Sequence, residues 1–133
     1  MARIYSLSRG ASLVDEVLMI AALERVRTAQ VAAIGGVDRL TLAYFNREKK
    51  NYEEHVYDEY LEVVSMLGDI TLKDGKPFLH IHGTFGKRDM SVVAGHVVSA
   101  SVFPLLEVVI TPTKNTALGR FDDDVGVNVI FKT

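Results

Sequence analysis

The 133-residue chain contains no cysteine. That absence removes disulfides, thiolate nucleophiles and thiolate metal sites, so a transition metal held by this protein must use histidine nitrogen and carboxylate oxygen. A basic surplus is missing as well: formal charge is -2 and the sequence pI is ≈ 6.1. Domains that bind nucleic acid unaided usually carry excess Lys and Arg, because phosphate neutralisation supplies most of the affinity. Two local basic clusters, Arg47-Glu-Lys-Lys50 and Lys87-Arg88, read as solvated turns. Long apolar runs are also lacking. The longest helical one, Val17 to Leu23, is stopped by Glu24, far short of the roughly 20 residues that span a bilayer. The opening Met1-Ala-Arg-Ile-Tyr-Ser alternates and lacks the apolar stretch of a signal peptide. These features lead us to expect a cytoplasmic protein with no membrane partner. Phosphate-cradling glycine loops of the Walker or dinucleotide type are absent, and so is a Gly-x-Ser-x-Gly elbow. Gly35-Gly36 reads as a turn.

What is present suits one domain over residues 1–133, since 48% hydrophobic residues supply a core without staples. Arg3 to Ser8 alternates as a strand, and Gly10 breaks it. Ser12 can cap a helix whose first turn holds Asp15 and Glu16, where negative charge meets the positive end of the helix dipole. Leu13, Val17, Ile20 and Ala21 keep helical spacing to about Arg27. The remainder reads as strands: Ala29–Ile34, Arg39–Phe45, Glu53–Tyr60, Leu61–Met66, Ile70–Leu72, Phe78–Thr84, Ser91–Ser101, Leu105–Thr111 and Val125–Phe131. Asp74-Gly75-Lys76-Pro77 signals a hairpin turn. Pro112 to Asp124 reads as one long loop. One helix with many successive strands predicts an α+β fold: a mostly antiparallel, curved or barrel-like sheet with the helix packed on one face. Strand edges left open in so small a domain are often covered by a neighbouring subunit.

Three histidines carry the chemistry. Residues i and i+2 of a strand share a face, so His80 and His82 point to one side while Leu79 and Ile81 point to the core. Val92, Ala94, His96 and Val98 share a side of the next strand. If the hairpin turn is centred on Arg88, equal offsets place His96 opposite His80 and diagonal to His82. Opposed side chains have Cβ atoms about 5 Å apart, close enough for three imidazoles to reach one ion. Gly83 and Gly95 flank the set and are expected to leave room beside it. A buried histidine can also satisfy itself on a backbone carbonyl, and a His-x-His pair alone would favour that reading. The third histidine at a matched position favours a metal, zinc first. Three neutral ligands leave a coordination position open, where zinc lowers the pKa of bound water to about 7. Glu62 and Asp69 are candidate acid/base or supporting groups. No catalytic residue can be assigned, and His55, in a polar strand, reads as solvated.

The segments Leu61-Glu-Val-Val-Ser-Met-Leu-Gly-Asp-Ile70, Pro77-Phe-Leu-His-Ile-His-Gly83, Ala94-Gly-His96 and Glu107-Val-Val-Ile110, in that order, resemble the PPC (plants and prokaryotes conserved) domain. The same domain forms the C-terminal part of plant AT-hook nuclear proteins. The resemblance covers nearly the whole chain and implies a sheet-rich α+β subunit assembled as a homotrimer, with a metal at His80, His82 and His96. It also implies a link to DNA binding or regulation, although the Arg-Gly-Arg-Pro arm by which the plant relatives contact DNA has no counterpart here. The plant segment Gly-Arg-Phe-Glu-Ile-Leu, associated with partner binding, falls on Glu59-Tyr-Leu-Glu-Val-Val64, where only Glu62 and the apolar character of the others survive, so that interaction does not carry over. A metal-dependent enzyme acting on a small molecule and a structural-metal interaction scaffold are the other two functions compatible with the site.

Overall fold

The computed structural model describes residues 1–113 and 118–132. In chain order it comprises β1 (Arg3–Ser8), α1 (Leu13–Leu23), β2 (Ala29–Asn46), β3 (Asn51–Tyr57), β4 (Leu61–Lys73), β5 (Lys76–Gly86), β6 (Val92–Pro112), β7 (Leu118–Asp122) and β8 (Asn128–Lys132). The helix starts where the sequence places it: Ser12 is extended and its side chain accepts from the Asp15 N–H. It ends at Leu23, a turn earlier than expected, with Arg25 in the left-handed region at φ 57°. Leu13, Val17 and Ala21, one apolar stripe at four-residue spacing, are its buried residues, and the helix packs on β5 and β6.

The strands are fewer and longer than expected. Ala29–Ile34 and Arg39–Phe45 fuse into β2, which bulges at Gly35-Gly36 and does not turn there. Gly35 has φ 139°, and a Cβ on it would stand 2.5 Å from the Leu105 carbonyl oxygen, so only glycine lets β2 and β6 approach there. Likewise β4 runs through Gly68-Asp69 without interruption, and β6 runs from Val92 to Pro112 through a cis Phe103–Pro104 bond. Part of the expected loop from Pro112 to Asp124 is the strand β7; residues 114–117 lie outside the described residues. The Asp74-Gly75 turn has both φ angles positive, 51° and 76°, as a two-residue hairpin requires.

Antiparallel pairings β2–β6, β6–β5, β5–β4 and β4–β2 close a ring of four strands. β1 and β3 extend it on β6 and β2, and the β7–β8 hairpin joins β4 through one parallel bridge, Leu72 to Gly119. Alternation along each strand sends one set of side chains into the ring. Val31, Leu40, Leu61, Met66, Ile70, Ile81, Phe85 and Leu106 are all nearly solvent-free there. The opposite set faces outward, and on β5 and β6 that set includes the histidines.

Candidate metal centre

His80, His82 and His96 offer one ring nitrogen each, and these atoms lie within 4.8 Å of one another. Ring centroids are 5.0 Å apart for His80–His82, 5.4 Å for His80–His96 and 5.3 Å for His82–His96. The hairpin register differs from the expected one. His82, not His80, stands opposite His96, because the connection from Lys87 to Ser91 is centred on Asp89. Asp89 shapes it by accepting from the Ser91 N–H at 3.0 Å, while the Lys87 N–H donates to the Ser91 carbonyl at 2.8 Å. Moving the centre by one residue moves each pairing by two, and a two-residue move keeps every side chain on its face. The triangle therefore survives the change.

The two glycines play another part than expected. A Cβ on Gly83 would meet the Phe85 ring at 2.6 Å, so its missing side chain makes room for the core aromatic. A Cβ on Gly95 would stand 3.1 Å from the Ala43 carbonyl oxygen of the adjoining strand. Both still line a depression of ≈ 430 Å³ on the outer side of the sheet, with Ser65, Leu67, His82, Thr84 and Ala94.

His96 sits between His82 on β5 and Ala43 on β2, with the Tyr52 ring 5.1 Å away. Burial, reinforced by the neighbouring His80 and His82, lowers its pKa from 6.5 to about 4. His80 is shifted down too, by burial first, then by the positive charge of Arg120 and by His82, against the pull of Asp69. Both rings are therefore neutral near pH 7, the form that binds metal.

Asp69 lies directly across β4–β5 from His80, and its Oδ2 is 3.9 Å from His80 Nδ1. Its other oxygen accepts from Arg120 at 2.7 Å. Glu62 is not brought to the histidines. It pairs with Gly86, further along β5, and accepts from the Tyr60 hydroxyl at 2.9 Å. His55 is exposed on β3. Of the basic clusters, 47–50 forms an exposed turn, and Lys87 is paired with Glu59 at 3.2 Å. Sequence reasoning missed Arg120. It is 51 residues from Asp69 in the chain and only β7 docking brings it near.

The donor set fits a metal. His80 Nε2 and His82 Nε2 are 3.2 Å apart, and two nitrogens bound to one tetrahedral zinc at about 2.0–2.1 Å stand about 3.3–3.4 Å apart. The alternative, rings satisfied on backbone carbonyls, is not what the described residues show. His96 Nδ1 is buried with no hydrogen-bond partner among them, and His80 contacts only His82, Asp69 and Arg120 side chains through its ring nitrogens. No fourth His, Asp or Glu joins the group among the described residues.

Several solved structures share the fold over nearly the full chain. The metal-containing protein of Archaeoglobus fulgidus is 33% identical, covers 98% of this chain and 93% of its own, and superposes with a TM-score of 0.93. A plant- and prokaryote-conserved (PPC) protein of Pyrococcus horikoshii is 27% identical, with 97% and 90% covered and a TM-score of 0.93. A proposed DNA-binding protein of Bacteroides thetaiotaomicron is 26% identical, with 98% and 91% covered and a TM-score of 0.92. Comparison with curated proteins finds no match. The model of the Plants and Prokaryotes Conserved (PCC) domain matches residues 2–114, and the chain belongs to that family.

Proposed function

We propose that this protein binds a transition metal, zinc first, through His80, His82 and His96, as a single-domain homotrimeric member of its family in the cytoplasm. The observation that carries the reading is the convergence of three imidazole nitrogens within 4.8 Å on adjacent, register-matched strands. The A. fulgidus relative, described as metal-containing, supports it. Three histidines would hold the ion and leave one position towards solvent. When bound there, zinc supplies a Lewis acid and an acidified water. The chain's own contribution is to keep the His80 and His96 imidazoles neutral by burial and to present Asp69 behind His80.

Metal content of tag-free protein, wild type beside His80→Ala, tests this. About one zinc per chain, lost in the variant, is the expected result; metal-free wild type would overturn it.

A role in DNA binding or regulation is the reading that two relatives described as proposed DNA-binding proteins favour. The net charge of -2 and the pairing of Lys87 with Glu59 place it behind the metal site in support. Binding whose affinity falls steeply with salt would establish it, and none at low salt would dismiss it. The depression beside His82 favours the third reading, an enzyme that takes a small molecule at the open position. In that case His82→Ala removes turnover together with metal. A purely structural metal would instead show itself as a steep loss of thermal stability on chelation.

A further inference from the structure

Arg120 is the one charged side chain among the buried residues described, 6% exposed. It belongs to the β7–β8 hairpin, beyond residues 2–114 that match the family. A buried guanidinium is costly unless its donors are used. Here Nε donates to Thr71 Oγ1 at 2.8 Å, Nη1 to the Asn128 carbonyl at 3.1 Å and Nη2 to Asp69 Oδ1 at 2.7 Å, with the Phe78 ring 5.4 Å away. The first ties the hairpin to β4, and the second stays within it, from β7 to β8. The third reaches the carboxylate that stands directly opposite His80, and Nη2 itself lies 3.4 Å from His80 Nδ1.

An imidazole that gives Nε2 to a metal carries its proton on Nδ1, and that proton needs an acceptor. Arginine cannot accept. Asp69 Oδ2 is the carboxylate oxygen on that side, 3.9 Å away and so about half an ångström from hydrogen-bond reach, and Arg120 fixes the carboxylate by its other oxygen. Resting on the metal reading above, we infer that Arg120 is a positioning residue. It holds Asp69 so that the carboxylate accepts a hydrogen bond from His80 Nδ1–H, which keeps the proton on Nδ1 and leaves Nε2 free for the ion. Hairpin docking and metal occupancy are then coupled, and the coupling is reciprocal: metal tightens the hairpin, and the docked hairpin tightens metal.

Zinc competition titrations on wild type, Arg120→Met, Asp69→Asn and Lys73→Met test this, together with amide exchange of β7–β8 with and without zinc. Arg120→Met and Asp69→Asn are expected to bind about 10–100-fold more weakly. Lys73→Met removes the 3.3 Å pair with Asp122, on the same hairpin but away from the histidines, and is expected to bind as wild type does. Zinc should slow hairpin exchange in wild type and not in Arg120→Met. The zinc-loaded wild type should show a hydrogen-bonded His80 Nδ1–H proton that Asp69→Asn loses, a signal that mere loosening would not move. Should Arg120→Met fail to fold, Asp69→Asn carries the comparison. Zinc affinity within twofold of wild type in the folded variants, or an equal loss in Lys73→Met, overturns the inference. Wild type that takes up no zinc overturns the metal reading and this one with it.

Discussion

Lowering the pH should destabilise the metal-free protein through His96, and comparison with a variant that cannot titrate at that position measures the effect. In the folded chain this ring resists protonation down to about 4, against 6.5 when free, because it is buried beside two other imidazoles. Between those values the unfolded chain holds more protons than the folded one, so stability falls as pH falls. Above the unfolded value the contribution is fully present, and below the folded value the loss is complete. The whole interval amounts to at most about 3 kcal/mol, of which about 2 kcal/mol is spent by pH ~5. His96 is only half-buried, and solvent screening reduces the figure at pH ~5 to about 1–2 kcal/mol. Urea denaturation of chelator-treated protein at pH ~7.5 and ~5, at one fixed chain concentration, measures it. His96→Gln cannot titrate there and should lose about 1–2 kcal/mol less than wild type over the same range. Equal losses in the two proteins would refute the reasoning.

Two further outcomes follow from packing. In Gly68→Ala the new Cβ would stand 2.1 Å from the His80 carbonyl oxygen and 2.7 Å from Ile81 Cα. Backbone must shift, so a loss on the order of 3 kcal/mol by urea denaturation, with weaker zinc uptake, is expected. Phe85→Ala removes a fully buried ring that fills the space left by Gly83 and should cost about 3–5 kcal/mol. A shift in denaturation midpoint corresponding to less than about 1 kcal/mol would show that the core collapses around the gap.

Much of the fold was legible because period-2 and period-3.6 patterns are local. The helix stripe Leu13, Val17 and Ala21, its Ser12 cap and the Asp74-Gly75 turn all depend on residues within a few positions of one another. The errors cluster where a local signal is overridden by a neighbour in space. Gly35-Gly36 and Gly68 read as breaks, yet the long strands β2 and β4 pass through them. There the glycine is needed for close approach of another strand, as the Leu105 and His80 carbonyl contacts show, and not for a change of direction. β7 was hidden for a related reason. Its residues look loop-like in sequence, and its place depends on contacts distant in the chain: a single bridge to β4, Arg120 on Thr71 and Asp69, and Asp122 on Lys73.

The metal site shows how a wrong register can give a right site. Face assignment follows from the parity of a strand, whereas the partner follows from where the turn is centred. An error of one residue in the centre displaces each pairing by two and leaves parity intact, so His96 faces His80 and His82 whether Arg88 or Asp89 is central. Only a displacement of one residue in the pairing itself, which a bulge between His82 and Gly86 would introduce, could have turned His96 to the core. The β5–β6 register is continuous from His82–His96 to Gly86–Val92, so no such bulge intervenes. Asp69 was reachable by the same logic, since the Asp74-Gly75 turn fixes β4 against β5 and puts it opposite His80. Arg120 was not, because no hairpin links it to β4: its position is decided by the burial of one guanidinium, which no pattern of neighbouring residues encodes.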